Sequence, residues 1–228
     1  MVRQDPTRDH LVTDIIRFQP WTELEPAVRA VPLLKLDRTQ QLIHPYRDAR
    51  IHLREVHPDE LSPTSFYVIQ RNLDFQKRLH AELLTKGHDT LHLEGLLEIR
   101  NDQGEIWGLM PPVVEVMHEH ITHLNAHGDI DYQHKPTTVA VHIINDGLHR
   151  VLLARELNRT ITVIHVTGAK PPFYALPNGW DQVQTFTDTP HSKEEKKFYR
   201  RNDCYALSRD FGVLGCGKPR NTGSGKPV

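Results

Sequence analysis

The chain has 228 residues, 38% hydrophobic and 25% charged, with a mean hydropathy of −0.53. That length suits one main hydrophobic core with extensions rather than two full domains, and the composition excludes a chain disordered throughout. Lys and Arg nearly balance Asp and Glu, 28 against 29, but residues 191–228 carry about +5 and residues 1–190 about −6. Such a tail suits an anionic ligand, a nucleic acid or an acidic partner, or is simply solvated.

Cys204 and Cys216 form no CxxC pair and have no zinc-module spacing, so reduced thiols are expected. The opening MVRQDPTRDH lacks the apolar stretch of a secretory signal, and no run approaches the ~18 apolar residues of a membrane span. A cytoplasmic location with no membrane partner is expected.

In chain order, Pro6, Pro20, Pro26, Pro32 and Pro45 break up short apolar pieces, so residues 1–49 read as an irregular N-terminal extension. Residues 50–56, RIHLREV, alternate as a half-buried strand, and HPDELSP after them is turn and cap chemistry. Phe66, Ile69, Leu73, Leu79, Leu83 and Leu84 fall mostly at three- and four-residue steps. They predict a helix from about Ser65 to Thr85, with a break near Asn72 left open, stopped by Gly87. Two apolar runs, Leu91 to Ile99 and Glu105 to Val116, flank the turn-rich Asn101–Gly104 and predict a hairpin. Pro111 and Pro112 make the second run an edge strand or split it.

His118, His120, His123, His127 and His134 crowd the next segment. On a helix His120, His123 and His127 would share one face, and neutral imidazoles ligate zinc, iron or copper. The HExxH pattern fails, because Thr122 stands where the second histidine belongs, so no metal ligand set is assigned. Solvated histidines on a surface helix and a metal-dependent enzyme both stay open.

The strongest signals meet between Val139 and Val166: an apolar strand, the turn Asp146-Gly147-Leu148-His149-Arg150, a helix and a second strand. A glycine turn opening a helix presents free backbone N–H groups at the positive end of the helix dipole, which suits a phosphate. Gly147 lets backbone approach an anion, and His149 and Arg150 can grip phosphate oxygens, Arg150 through its planar fork. Asp146 can orient a hydroxyl, accept its proton or hold Mg²⁺. An ordinary turn with Asp146 as N-cap is the competing reading.

Beyond it, Gly168 to Trp180 is a proline-rich loop whose Phe173, Tyr174 and Trp180 either wall a substrate pocket or cover an exposed sheet edge or core end. Residues 192–210 predict a basic helix with Ser192 as cap and Glu195 at the box position, followed by a Gly/Pro-rich end.

The central pattern, Ile143-Ile144-Asn145-Asp146-Gly147-Leu148-His149-Arg150 leading into Val151 to Leu157 and then Ile161 to Val166, resembles the ParB/sulfiredoxin superfamily motif. The order upstream agrees: the strand near Ile51, a helix, and Pro111-Pro112-Val113-Val114 at the place of the family's usual P-I-V-V strand. The resemblance covers residues 50 to 168. It implies an α+β fold, a mixed sheet flanked by helices, as a nucleotide-binding domain over residues 50–190 between an N-terminal extension and a basic C-terminal extension, 191–228.

Function does not follow from that fold alone. Sulfiredoxins place a cysteine where this chain has Leu148, and partitioning ParB proteins carry Gly-Glu-Arg-Arg and a following helix-turn-helix domain that this chain does not show. The motif is most similar to that of free-serine kinases, Asp-Gly-His-His-Arg, from which it differs only at Leu148. That resemblance implies a Mg²⁺-dependent phosphotransferase, using ADP or ATP, with CTP open, on a small hydroxyl substrate. Gly147, Leu148, His149 and Arg150 would hold the phosphates and Asp146 would assist the hydroxyl. Glu115, ahead of Glu94 and Glu98, would serve as a further base or metal partner. The alternative is a non-catalytic nucleotide-sensing or DNA-associated regulator.

Overall fold

A computed structural model describes residues 12–33, 42–131, 133–173, 175, 177–188 and 207–216. The chain opens with β1 (Val12–Pro20) running straight into α1 (Trp21–Arg29). The expectation of an irregular N-terminal extension is therefore corrected over residues 12–29. Pro20 keeps extended dihedrals and stands at the N-cap of α1, where a missing N–H costs nothing. Pro26 sits inside this short helix, which is held instead by full burial of Leu24 and Val28.

β2 (Arg50–Val56) is the predicted strand, and a 3₁₀ turn over Pro58–Glu60 follows it. The helix expected from Ser65 begins later. Tyr67–Ile69 forms β3, and α2 runs Gln70–Thr85. Residues 67–69 extend because they pair in parallel with β9 (Gln184–Phe186). Gly87, at φ +83°, ends the helix as expected.

β4 (Gly95–Asn101) and β5 (Ile106–Leu109) form the expected hairpin, with Gly104 at φ +79° in its turn. Pro111 and Pro112 split the next apolar run, so that β6 (Val113–Ile121) starts after them. β6 carries the first of the clustered histidines, and β7 (Thr137–Asp146) returns antiparallel along it, Val113 facing Asp146 and Ile121 facing Thr137. The helical histidine face is corrected accordingly. His120 and His123 hydrogen-bond to Thr138 and Thr137 across this hairpin, and no three-ligand metal group occurs among the described residues.

α3 (Leu148–Glu156) and β8 (Ile161–Thr167) complete the central unit. The main sheet has the order β2-β8-β6-β7, with β8 parallel to β6 and the other neighbours antiparallel. A second sheet is β1-β4-β5. This is a mixed α+β architecture. The period-two alternation of strand side chains assigns its cores: Ile51, Val113, Ile164 and Val166 pack with Leu24, Val28 and Tyr46 on one face. Val56, Val114, Ile144, Ile161 and Val163 pack with Val151 and Ala154 of α3 on the other. β8 is buried from Ile161 to Val166, as a strand covered on both faces must be.

The predicted basic helix lies outside the described residues except at 207–210. Over 208–210 it is no helix, and from 208 the chain is a strap against the N-terminal half. Leu33 bridges Arg209, Asp210 N–H donates to the Pro32 carbonyl, and Gly108 N–H donates to the Gly215 carbonyl at 2.8 Å. No helix among the described residues is long and apolar enough to cross a membrane.

Candidate functional site

At the end of β7 the chain turns through Gly147, whose φ of +84° places it in the left-handed region. A Cβ here would lie 2.8 Å from Pro112 Cβ, so glycine is required twice, by conformation and by the close approach of the Pro111-Pro112 segment. Gly147 is the N-cap of α3 and supplies no side-chain hydrogen bond. Arg150 and Val151 N–H donate to the Gly147 carbonyl, at 3.0 Å and 3.1 Å, which leaves the N–H groups of Leu148 and His149 without a carbonyl in the helix; both residues line a cleft of about 470 Å³.

Asp146, Gly147, Leu148, His149 and Arg150 all line that cleft. The five residues singled out from the sequence thus come together. Around them the walls are Thr64 and Ser65 ahead of β3, Asn72, Phe75 and Gln76 of α2, Trp107 to Met110 of β5 and its end, Ile144 and Asn145 of β7, and Cys216.

Arg150 is 6% exposed, and its Nη1 is buried without a hydrogen-bond partner. Burial lowers its pKa while Asp146 and Cys216 push the other way. Guanidinium stays charged at any physiological pH, so the chain holds a buried cation that it does not itself fully satisfy. His149 behaves differently. Its Nε2 accepts the Ile69 N–H at 3.2 Å, which ties the ring to the residue preceding α2 and fixes the remaining proton on Nδ1. Burial lowers its pKa, with Asp146 opposing, so the ring is neutral. His149 joins α3 to α2 and has one N–H left to offer. Cys216 is a protonated thiol, pushed up to about 12 by burial first and by Asp146 second.

Glu115 lies below the cleft rather than in it. It is 1% exposed and accepts from Tyr46 Oη at 2.7 Å, Asn145 Nδ2 at 2.5 Å, Phe173 N at 3.2 Å and Arg209 Nη2 at 2.9 Å. Arg209 Nε stands 2.8 Å away as an ion-pair contact without hydrogen-bond alignment. The expected base or metal partner is thus fully engaged, and it touches the cleft through Asn145. Burial, with the Glu115 charge adding, holds the Tyr46 hydroxyl well above its usual pKa. Glu94 and Glu98 do not line the cleft either.

Trp180 is also elsewhere. Its Nε1 donates to the Pro58 carbonyl at 3.2 Å, Arg155 of α3 lies 5.4 Å over its ring, and it does not line the cleft. Phe173 is fully buried in a core with Met117 and Ile143. Tyr174 lies outside the described residues.

The family model for the ParB CE domain matches residues 23–184, well over half of the chain. The chain belongs to the ParB CE domain family. This agrees with the resemblance read from the sequence, and neither a curated protein nor a solved structure matches significantly. The ParB CE match runs from within α1 to the first residue of β9 and so includes the turn at Gly147, α2 and β5. Arg209 and Cys216 fall beyond it, so one lining residue of the cleft, Cys216, comes from outside the matched ParB CE stretch.

Sequence reasoning missed Asn72, Phe75, Gln76, Trp107, Asn145 and Cys216. The one available signal was Asn72, a polar residue interrupting the apolar pattern of α2.

Proposed function

We propose that this ParB CE domain protein binds a nucleotide by its phosphates at the start of α3 and acts as a Mg²⁺-dependent phosphotransferase on a small hydroxyl substrate. The observation that carries this reading is Arg150, a buried cation with an unpartnered Nη1, lining a cleft into which the uncapped end of α3 opens. An anion there receives helix N–H groups, the guanidinium and the Nδ1–H of His149 together. The similarity of Asp146-Gly147-x-His149-Arg150 to the free-serine kinase turn supplies the reaction class.

Asp146 is the acidic side chain among the described cleft residues. That donor set fits Mg²⁺, which commonly takes one or two carboxylates and completes its shell with phosphate oxygens and water. When bound, the ion offsets polyphosphate charge. Asp146 also suits the acceptor side: the hydroxyl oxygen bonds to the terminal phosphorus as its bond to the bridging oxygen breaks, and the hydroxyl proton passes to the carboxylate. Arg150 and the α3 N–H groups hold the charge that shifts onto the phosphate oxygens. Glu115 acts at one remove, by fixing Asn145.

Calorimetry with ADP, ATP and CTP, each with and without Mg²⁺, tests the site. Arg150→Ala is expected to weaken the favoured nucleotide roughly 10- to 100-fold, as loss of ~1.5–3 kcal/mol of charge-assisted hydrogen bonding. No nucleotide binding, or binding indifferent to this substitution, ends the reading. Nucleotide turnover against a panel of amino acids and small alcohols then separates a kinase from a nucleotide-responsive regulator, for which tight binding without turnover is the signature.

A further inference from the structure

The lining of the cleft falls into two chemically distinct groups. At the start of α3 the groups are charged, Arg150 and Asp146. On the wall formed by α2 and β5 they are neutral. Asn72, Phe75 and Gln76 stand at i, i+3 and i+4 on α2, a spacing that puts them on one helix face, and all three line the cleft. Trp107 comes from β5, its ring centroid 5.8 Å from that of Phe75 with the planes inclined by 39°.

The polar groups on this wall are unengaged. Among the described residues the carboxamides of Asn72 and Gln76 make no hydrogen bond within the chain, whereas the neighbouring amide of Gln70 is held by Asp74 at 2.8 Å. Trp107 is 5% exposed, and its Nε1 is buried with no partner. A carboxamide offers a donor and an acceptor side by side, which matches the edge of a heteroaromatic ring. A point cation, which would suit a further phosphate, is absent from the described lining of this wall.

We propose that Asn72 and Gln76 are the specificity-determining residues of the cleft. They read the edge of a nucleobase that packs against Phe75, with the Trp107 indole N–H as a further donor. The assignment rests on the phosphate site at Arg150 for the position of the other end of the ligand. It adds that the ligand is a nucleotide recognised by its base, not an inorganic polyphosphate or a phosphorylated aliphatic metabolite. Ring packing against an aromatic side chain and paired amide hydrogen bonds are each sizeable contributions to base binding.

Calorimetry on the full chain at fixed Mg²⁺ compares ATP, GTP, CTP, UTP, inorganic tripolyphosphate and the free nucleosides. Wild type is expected to bind at least one nucleoside triphosphate ~10-fold or more tighter than tripolyphosphate. Asn72 and Gln76 are half-buried surface residues of α2, so Asn72→Ala and Gln76→Ala test the site without opening a core. Each should remove much of that preference and leave tripolyphosphate unchanged.

Gln76→Glu is the sharper variant, because a carboxylate only accepts. It should favour bases presenting an amino group at that edge over those presenting a carbonyl, changing the ranking of the four nucleotides. Equal affinity for tripolyphosphate and every nucleotide overturns the proposal, as does a Gln76→Glu effect that is uniform across all of them. Nucleoside binding that is sensitive to Gln76→Ala but indifferent to Arg150→Ala overturns the phosphate reading alone. No binding of any probe overturns both.

Discussion

Two arginines are almost equally buried in this protein, and they are treated in opposite ways. Arg209 is 5% exposed and Arg150 is 6% exposed. Arg209 contacts both Glu115 oxygens, donates to the carbonyls of Pro171 and Leu207, and lies 5.5 Å and 5.6 Å over the rings of Tyr46 and Phe173. Arg150 has Asp146 nearby in charge, but its Nη1 has no partner. A buried cation that is paired and enclosed belongs to the fold. One that the chain leaves partly unsatisfied beside a cleft is a group that a ligand can engage.

The largest expected effect comes from breaking the satisfied member. Arg209→Ala leaves Glu115 buried and uncompensated and should cost roughly 3–5 kcal/mol of stability in denaturant unfolding. It also releases the strap whose Cys216 lines the cleft, so ligand affinity should fall with it. A stability loss under ~1 kcal/mol would mean that the Glu115–Arg209 pair is not the anchor its geometry indicates.

Arg150→Ala gives the opposite profile. Removing an unsatisfied buried charge should leave unfolding stability within about 1 kcal/mol of wild type, or raise it, while nucleotide affinity drops by the factor given above. If Arg150→Ala instead destabilises as strongly as Arg209→Ala, the two arginines are alike and the comparison fails. Gly147→Ala is expected to sit between them. The left-handed conformation alone costs about 1–2 kcal/mol for a residue with a Cβ. Contact with Pro112 must also shift the turn, so both stability and affinity should fall in the same variant.

The contrast also shows what could be read without coordinates. The Asp146–Arg150 turn and the β7-α3-β8 unit were legible because a β-branched run, a glycine and a helical run follow one another locally. Pro111-Pro112 marked the break before β6 for an equally local reason. Arg209 carried no such signal: its partner Glu115 is 94 positions away, and only tertiary folding brings them together. For the same reason the sequence offers Glu115 as a further base or metal partner and gives no sign of its burial against Arg209.

The β1-α1 segment was obscured because Pro20 and Pro26 look like breakers. Pro20 occupies the N-cap, and Pro26 is tolerated because Leu24 and Val28 are buried. Histidines at i, i+3 and i+7 suggested a helix, while Val113, Val114 and Val116 just before them were the better guide to a strand. The α2 wall of the cleft was hidden because side chains that line a pocket keep the same helical period as those that line a core.

His165 adds a third treatment of a buried ionisable group, and it sets the smallest prediction. Both ring nitrogens of His165 lack hydrogen-bond partners, and His52 and His142 flank it at ring-centroid distances of 5.0 Å and 5.1 Å. Burial first, then these imidazoles, then Arg54 and Arg50, lower its pKa to about 4. Where Arg150 must stay charged, His165 can discard its proton. The folded state then binds fewer protons than the unfolded chain between the ordinary histidine value and about 4. Stability is therefore undiminished above ~6.5 and falls as pH drops through that window.

His52 and His142 are half exposed, so water screens the row, and the expected loss is about 1 kcal/mol rather than the ~3 kcal/mol of the full shift. Urea unfolding at pH 7.5 and pH 4.5 for wild type and His165→Phe measures it. The aromatic replacement should flatten the pH dependence by that amount. An unchanged slope would place the acid sensitivity in other groups, and would leave Arg150 as the buried charge whose lack of a partner matters.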